Sequence, residues 1–155
     1  MALNGMLKLT AAASDSKDLP MLKAQASLNW SYIQMLLSAD AMTPLTGTLE
    51  AQNSLQLVLD DGSLLDQFGE PAAYETLAAV IVRNSGTETA AAIQLKGTLA
   101  ALGGSQNGIL IPPGGAAFLA FGAGAAVGTN ETIVIENADT EKDAACEVIL
   151  FGKRN

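Results

Sequence analysis

The chain contains no histidine and a single cysteine. Histidine is the side chain that most often transfers protons near neutral pH, so its absence excludes Ser–His and Cys–His catalytic pairs. A lone Cys146 cannot form an internal disulfide, and so no oxidising compartment is implied. Because Cys146 lies among strand-forming residues, we expect it to act as a small core hydrophobe.

Charged residues are also scarce, at 15% of the 155 residues, against roughly 25% in an average globular domain. Hydrophobic residues make up 49%, which is enough to fill a core. Much of the surface must then be small and neutral, and we expect other subunits to cover part of it. The net charge of −8 argues against nucleic-acid partners and against binding to anionic membranes.

The candidate catalytic and metal-binding groups are carboxylates in two acidic segments. A glycosidase needs two carboxylates across a cleft lined by aromatic residues, and aromatic residues are only 5% of this chain. The spacing does not match the twelve-residue calcium loop either. We interpret both segments as solvated turns and assign no catalytic, cofactor-binding or metal-binding residue. The carboxylates concerned are Asp60, Asp61, Asp66 and Glu70 in the first segment and Asp139, Glu141 and Asp143 in the second.

Two further patterns imitate ligand sites. The run from Gly122 to Gly128 resembles a dinucleotide fingerprint, but its third glycine position holds Val127 and no βαβ unit surrounds it. We interpret this run as a loop between strands. Trp30 and Tyr32 would suit a ligand platform, but they fall on the apolar face of an alternating segment, which predicts core positions instead.

Apolar and polar residues alternate along much of the chain, which is the pattern of half-buried strands. The alternation is cleanest over residues 22–32 and recurs at 7–9, 46–51 and 55–59. Short strands at such spacing are typical of an antiparallel sandwich or barrel, and nothing predicts the crossover helices of a parallel sheet. In the second half we predict strands at 77–84, 90–96, 108–112, 116–121, 132–137 and 145–151.

Proline and glycine mark the expected breaks. Pro44 should interrupt any regular element around it. Residues 60–63 predict a turn, followed by one helical turn over 63–68. The Ile-Pro-Pro-Gly-Gly step at 111–115 should end a strand and allow a reversal or a jump to another sheet.

One stretch of the sequence echoes another. Residues 80–95 align without a gap on residues 133–148, which places Asn84 over Asn137. Each copy reads as an apolar strand, an asparagine that begins a polar turn, and a returning strand. We interpret the echo as two hairpins of similar shape that obey the same turn rules, rather than as a duplicated unit.

The second half resembles the decoration, or cement, proteins of tailed bacteriophages. The resemblance covers residues 77–152 and lies in Val-Arg-Asn at 82–84, Ile-Pro-Pro-Gly-Gly at 111–115 and Val-Ile-Leu-Phe-Gly at 148–152. It implies a β-sandwich of jelly-roll or related type and no enzymatic activity. It also implies symmetric oligomers, often trimers, that bind the major capsid protein on the outer surface of the virion after synthesis in the host cytoplasm.

The sequence therefore predicts an all-β protein built as an antiparallel β-sandwich, either jelly-roll-like or immunoglobulin-like. Residues 21–155 should form one domain, with residues 1–20 as an N-terminal arm or a first strand. The expected function is to decorate and stabilise a bacteriophage capsid as a homo-oligomer bound to the major capsid protein lattice. Two alternatives stay open: a tail, neck or fibre-base component, and a module that binds glycans or a host surface.

Overall fold

The structure, a computed structural model, describes residues 8–9, 30–31, 39–99, 102 and 108–155. These residues form twelve β-strands, and none of them lies in an α-helix. The strands are β1 Lys8–Leu9, β2 Trp30–Ser31, β3 Ala41–Leu49, β4 Ser54–Val58, β5 Leu64–Leu65, β6 Pro71–Ala72, β7 Tyr74–Asn84, β8 Ile93–Gly97, β9 Ile109–Ile111, β10 Ala116–Ala126, β11 Thr132–Glu136 and β12 Ala144–Arg154.

Eight of the strands form two four-stranded antiparallel sheets. Sheet 1 has the order β10-β7-β12-β3, and sheet 2 has the order β4-β11-β8-β9. Two short ribbons pair β1 with β2 and β5 with β6. Buried side chains from both four-stranded sheets belong to one hydrophobic cluster, as expected when two sheets pack face to face. The predicted all-β antiparallel sandwich is confirmed.

The strand pairs are nested along the chain. β3 pairs with β12, β4 with β11, β7 with β10, and β8 with β9. One long hairpin rolled up on itself has this pairing, because the outermost strands in sequence meet each other and the innermost pair forms the tip. The chain changes sheet six times. Two of these passages lead from β4 to β7 and from β10 to β11, and the other four are the connections β3–β4, β7–β8, β9–β10 and β11–β12. The strand registers place these four connections at one end of the sandwich, which we term the corner end.

The core follows from alternation along the strands. Inward-facing side chains of β7 and β12 meet those of β8 and β11 and lose all contact with solvent. Burying each such aliphatic side chain contributes roughly 1.5–3 kcal/mol. These fully buried residues are Val80, Val82, Val148, Leu150, Ile93, Ile133 and Ile135.

All six strands predicted between residues 77 and 151 exist. The longest ones extend beyond the prediction, since β7 begins at Tyr74, β10 ends at Ala126 and β12 ends at Arg154. The alternating segments at 46–51 and 55–59 correspond to β3 and β4. Of the alternating segment 22–32 only β2 is described, and of residues 1–20 only β1; the rest of these two predicted elements lies outside the described residues.

The prediction that Pro44 breaks regular structure is wrong. Pro44 lies within β3 opposite Ile149 of β12. β3 is an edge strand, and the backbone N–H of Met42 points away from β12 toward the Oε1 atom of Gln67, at 2.9 Å. Backbone groups two residues apart point the same way, so the N–H that Pro44 lacks would also have faced the free edge, and no ladder bond is lost.

The predicted helical turn over 63–68 is also wrong. Leu64 and Leu65 form β5, and the following turn closes around Asp66, whose Oδ1 atom accepts the N–H groups of Phe68 and Glu70 at 2.8 and 2.9 Å. A carboxylate that bonds backbone groups a few residues ahead of it competes directly with helix formation. The predicted turn at 60–63 is confirmed, with Gly62 at a φ of 74°.

The two glycine-rich runs behave differently from each other. The predicted loop at 122–128 is mostly strand, because β10 continues to Ala126 through an irregularity in its register with β7, with Gly124 at a φ of 83°. A glycine with positive φ is a usual component of such bulges. The step at 111–115 behaves as predicted: the N–H of Gly115 bonds to Pro112 O at 2.9 Å, and the chain crosses from sheet 2 to sheet 1.

The two echoed segments are not hairpins, because β7 and β8 lie in different sheets, as do β11 and β12. The echo instead marks two corners where the chain changes sheet. Both asparagines are completely buried. Their Oδ1 atoms accept the N–H group two residues ahead, from Gly86 and Asp139 respectively, each at 3.1 Å. The expected similarity of shape is therefore correct for the turns but not for the pairing of the strands.

Each asparagine also ties its own corner to a second one. The Nδ2 atom of Asn84 donates to Ala91 O at 2.9 Å and to Ile111 O at 3.2 Å, which joins the β7–β8 and β9–β10 connections. The Nδ2 atom of Asn137 donates to Lys142 O at 2.9 Å and to Leu49 O and Glu50 O at 3.1 Å, which joins the β11–β12 and β3–β4 connections. Four crossings are thus held by two side chains.

Replacing Asn137 by alanine should destabilise the protein strongly. The carbonyls of Leu49, Glu50 and Lys142 lose the NH2 group whose two protons they share, and the bond to Leu49 is the fully buried one. Leaving a buried polar group unpaired costs roughly 1–3 kcal/mol, so we expect a loss of about 2–3 kcal/mol in urea unfolding. Asn53→Ala is the matched control, since the Asn53 side chain makes an exposed bond to the N–H of Ser54. It should cost less than about 1 kcal/mol. Equal losses in the two variants would contradict this role of Asn137.

Candidate functional site

The first acidic segment brings its carboxylates to separate partners rather than to a shared site. Asp61 accepts the N–H of Ser63 at 2.8 Å and closes its own turn. The side-chain hydroxyl of Ser63, and after it this N–H, lower the pKa of Asp61 below its ordinary value by hydrogen bonding to the carboxylate. The neighbouring Asp60 instead accepts the N–H of Asn130 at 3.0 Å, which holds the loop that precedes β11.

Asp66 is the most enclosed carboxylate of this segment, with 1% of its side chain exposed. Besides the turn that it closes, its Oδ2 atom accepts a hydrogen bond from Arg154 Nη1 at 3.2 Å. The backbone N–H of Arg154 in turn donates to Asp40 at 2.9 Å. The hydrogen bond from the N–H of Glu70 is the largest cause that lowers the pKa of Asp66, aided by Phe68 and by the charge of Arg154 and opposed by desolvation. Asp66 therefore acts as an anchor between the β5–β6 ribbon and the last strand.

The carboxylates of the second acidic segment are also used locally. Asp139 accepts the N–H groups of Glu141 and Lys142 at 2.9 and 3.1 Å, and these bonds lower its pKa. Asp143 accepts the N–H of Ala51 at 3.1 Å, across the corner end. Among the residues that the structure describes, no three His, Cys, Asp or Glu side chains are placed to hold a metal ion.

Two other residues singled out by the sequence have different outcomes. Cys146 is 2% exposed on the inner face of β12, and burial raises the pKa of its thiol. Its predicted role as a core hydrophobe is confirmed. The side chain of Trp30 and all of Tyr32 lie outside the described residues, so their predicted core positions stay predictions.

Sequence reasoning missed the outer face of sheet 1. The registers align side chains across all four strands in rows, and two successive rows on the outer face are entirely apolar. Six of these eight side chains are half-buried, while Ala79 is buried and Pro44 is exposed. The rows, which together we term the apolar outer face, are Pro44, Ile149, Ile81 and Phe118, then Met42, Phe151, Ala79 and Ala120.

The outer face of sheet 2 has the opposite character. Its central strands β11 and β8 carry an ion pair between Glu136 and Lys96. Gln56 and Gln94 occupy neighbouring outward positions. The apolar residues on this face are Val134, Val58 and, at the β9 edge, the exposed Leu110. A sandwich sheet normally turns such a polar face to water. The apolar outer face of sheet 1 is therefore the less polar of the two outer faces.

The sequence did contain a signal for the apolar outer face. The runs Ala79-Val80-Ile81-Val82 and Val148-Ile149-Leu150-Phe151 are apolar at consecutive positions rather than at alternate ones. Such runs are typical of strands that are covered on both faces. The central position of these two strands in sheet 1 agrees with that pattern.

A second apolar feature projects from the β5–β6 ribbon. Phe68 is 72% exposed and Leu65 is 52% exposed. The ribbon is held in place by the ion pair of Asp66 with Arg154 and by the bond from Met42 N–H to Gln67. Exposed aromatic residues such as Phe are enriched in protein interfaces relative to the rest of the surface. We term Leu65 and Phe68 the ribbon tip.

In the described part of the chain, no helix has the length and hydrophobicity required to traverse a lipid bilayer. No protein-family model matches the sequence, and no curated protein is significantly similar to it. The features that bear on function are therefore the fold, the apolar outer face and the ribbon tip.

Stability should fall on the acid side, with Asp66 contributing to the loss. Because its pKa in the folded protein lies below the ordinary 3.8, its carboxylate stabilises the fold above that pH, and this contribution disappears as the pH falls through the lower folded value. Asp66→Asn should therefore be less stable at neutral pH and lose less stability between about pH 5 and pH 2. Urea midpoints measured across this range test the prediction.

Glu88→Gln is the control, since Glu88 is an exposed residue of the β7–β8 connection. It should keep the pH dependence of the unmodified protein. A slope for Asp66→Asn that equals the unmodified slope would show that Asp66 does not have the anchoring role described above.

Proposed function

We propose that this protein is a non-enzymatic structural component of a virion, which decorates a bacteriophage capsid by binding the lattice of the major capsid protein. We further propose that its sandwich is of the jelly-roll type. The nested pairing of eight strands in two four-stranded sheets supports this assignment. Jelly rolls occur in viral capsid proteins, lectins and cupins. Because a fold alone does not determine function, the choice among these functions rests on the surface of the sandwich.

The observation that carries the proposal is the ribbon tip. Phe68 and Leu65 are large apolar side chains that solvent reaches, on a ribbon that an enclosed carboxylate fixes to the sandwich. Exposed aromatic anchors contribute much of the affinity of protein interfaces. The described acidic turns use their carboxylates to bond backbone N–H groups, which suits a mechanical role better than a catalytic one.

Oligomerisation belongs to the same proposal. Residues 46–48 of β3 are exposed and carry the short neutral side chains Thr46 and Thr48 on either side of Gly47. Their N–H groups at 46 and 48 share the outward direction of Met42 N–H, and a free strand edge can accept an extended segment from a neighbouring chain. The proposed arm is residues 1–20, of which Lys8–Leu9 pairs along one edge with Trp30–Ser31 of its own chain. Closed symmetry, with a trimer expected, would supply equivalent contacts to every copy.

Electron microscopy of particles labelled with an antibody against this chain tests the proposal directly. Capsid decoration predicts label over the whole shell. Label confined to one vertex or to the tail would contradict it and would favour a tail, neck or fibre-base component. An absence of label on particles, together with binding to a glycan array, would favour the host-surface alternative.

The contact itself is tested by Phe68→Ala. If the ribbon tip is the anchor, binding to purified capsids should weaken by about tenfold or more, which corresponds to about 1.4 kcal/mol. Leu110→Ala is the matched control, because Leu110 is also a large exposed side chain, at 62%, but lies on the edge strand β9. Both variants should unfold within about 0.5 kcal/mol of the unmodified protein. Equal binding by both would contradict a contact at the ribbon tip.

A further inference from the structure

We propose that the apolar outer face of sheet 1 binds residues 22–32 of the same chain through the apolar side of that segment. This inference does not depend on the virion role. It follows from the character of the face, from its size and from the point at which the chain enters β3.

The apolar outer face and one side of residues 22–32 are both apolar. The apolar outer face presents two rows without a single charged or polar side chain, across all four strands. Residues 22–32 have a matching side, since every second position is apolar and the positions between are polar. At Trp30–Ser31, where the segment is described, it is a strand, which is the conformation in which a period of two gives one apolar side. That side comprises Leu22, Ala24, Ala26, Leu28, Trp30 and Tyr32.

The apolar outer face is small. Neighbouring strands lie about 4.8 Å apart, and side chains on one face repeat about every 6.7 Å along a strand. Four strands and two rows therefore cover an area of roughly 250 Å². A stable interface between two proteins needs about 800 Å² from each partner. The face is therefore too small to hold a second folded subunit by itself. A segment of the same chain can use so small an area, because its docking does not have to overcome the loss of free translation and rotation.

The link between residues 22–32 and β3 is long enough for the segment to reach the apolar outer face. The chain enters β3 beside the apolar outer face, because β3 begins at Ala41 and the next residue, Met42, belongs to that face. The N–H of Asp40 donates to Gly152 O at 3.0 Å, which fixes the chain to sheet 1 at this point. Seven residue steps separate Tyr32 from Ala39, and they span up to about 23–25 Å. Sheet 1 is about 19 Å wide by the strand spacing. The link can therefore bring Tyr32 to any part of the face, and the extended segment, at about 37 Å, is long enough to cross the face from edge to edge.

The other side of residues 22–32 is polar. If the apolar side of the segment meets the sheet, its other side carries Lys23, Gln25, Ser27, Asn29 and Ser31 outward. Covering sheet 1 in this way would turn an apolar surface into a polar one. In a chain with only 15% charged residues, this cover would remove an apolar surface through which copies could associate.

The tryptophan at position 30 is the only one in the chain, so its fluorescence reports on this segment. In the unmodified full-length protein we expect a blue-shifted emission and an acrylamide quenching constant severalfold lower than in the urea-unfolded chain. Both should be unchanged on dilution. Quenching as efficient as in the unfolded chain would overturn the proposal. Protection that disappears on dilution would overturn it as well, because the occupant would then be a second copy.

The location on sheet 1 is tested by placing a charge at the centre of the face. In Ile149→Lys the emission of Trp30 should shift to the red and its quenching constant should rise severalfold, with the far-ultraviolet circular dichroism of the sandwich retained. Val134→Lys is the matched control, since Val134 is a half-buried residue on the central strand β11 of sheet 2. It should leave both signals unchanged. The same response to both substitutions would overturn the proposal.

Pro44→Lys provides a second variant in case Ile149→Lys does not fold. Pro44 is exposed at the edge of the same row, so lysine there places a charge on the face without burying it in the middle of the sheet. The expected change in Trp30 fluorescence has the same direction and a smaller size. A folded Pro44→Lys protein in which Trp30 is quenched as in the unmodified protein would count against the location on sheet 1.

Discussion

The fold depends on two buried carboxamides at the corner end. Asn84 and Asn137 are completely buried, and each bonds to backbone groups from two separate connections. Where a chain passes from one sheet to the other, its carbonyl groups leave the ladder and would be buried without donors. The two side chains supply those donors. The nested order of the strands, the shared core and the two different outer faces all require these crossings to be fixed.

The sequence predicted local structure well and pairing poorly. Short apolar runs bounded by turn residues located the strands from residue 77 onward, because at least one face of each strand meets the core. It could not distinguish a hairpin from a change of sheet, since the segments around Asn84 and Asn137 obey the same turn chemistry in either case. The prediction for Pro44 was wrong because a β-strand accepts proline when the strand lies at the edge of a sheet. Whether a strand lies at an edge is set by pairing partners far away in sequence. The attachment of the Asp66 turn to the last strand depends on Arg154, which is 88 residues away.

The candidate surfaces could be predicted only in part. Consecutive apolar residues in β7 and β12 signalled cover on both faces, but the rows that make a continuous surface come from the register of four strands. The ribbon tip had no comparable signal, because Phe68 is displayed by a turn that competes with the helix its sequence favoured. The resulting division is simple: an apolar core, a polar sheet face, an apolar sheet face and an exposed aromatic anchor. Carboxylates serve as local clamps in this arrangement, which fits a protein whose proposed work is to hold neighbours in place.

The central claim is that the carboxamides of Asn84 and Asn137 hold the crossings together, and hydrogen exchange of their side-chain NH2 protons tests it most directly. Nuclear magnetic resonance on the unmodified protein can follow these protons beside those of the exposed Asn53. The account predicts that the Asn84 and Asn137 protons exchange as slowly as the backbone amides of the core strands, through global unfolding alone. Exchange as fast as that of Asn53 would contradict it, because the corners would then be open to water in the folded state.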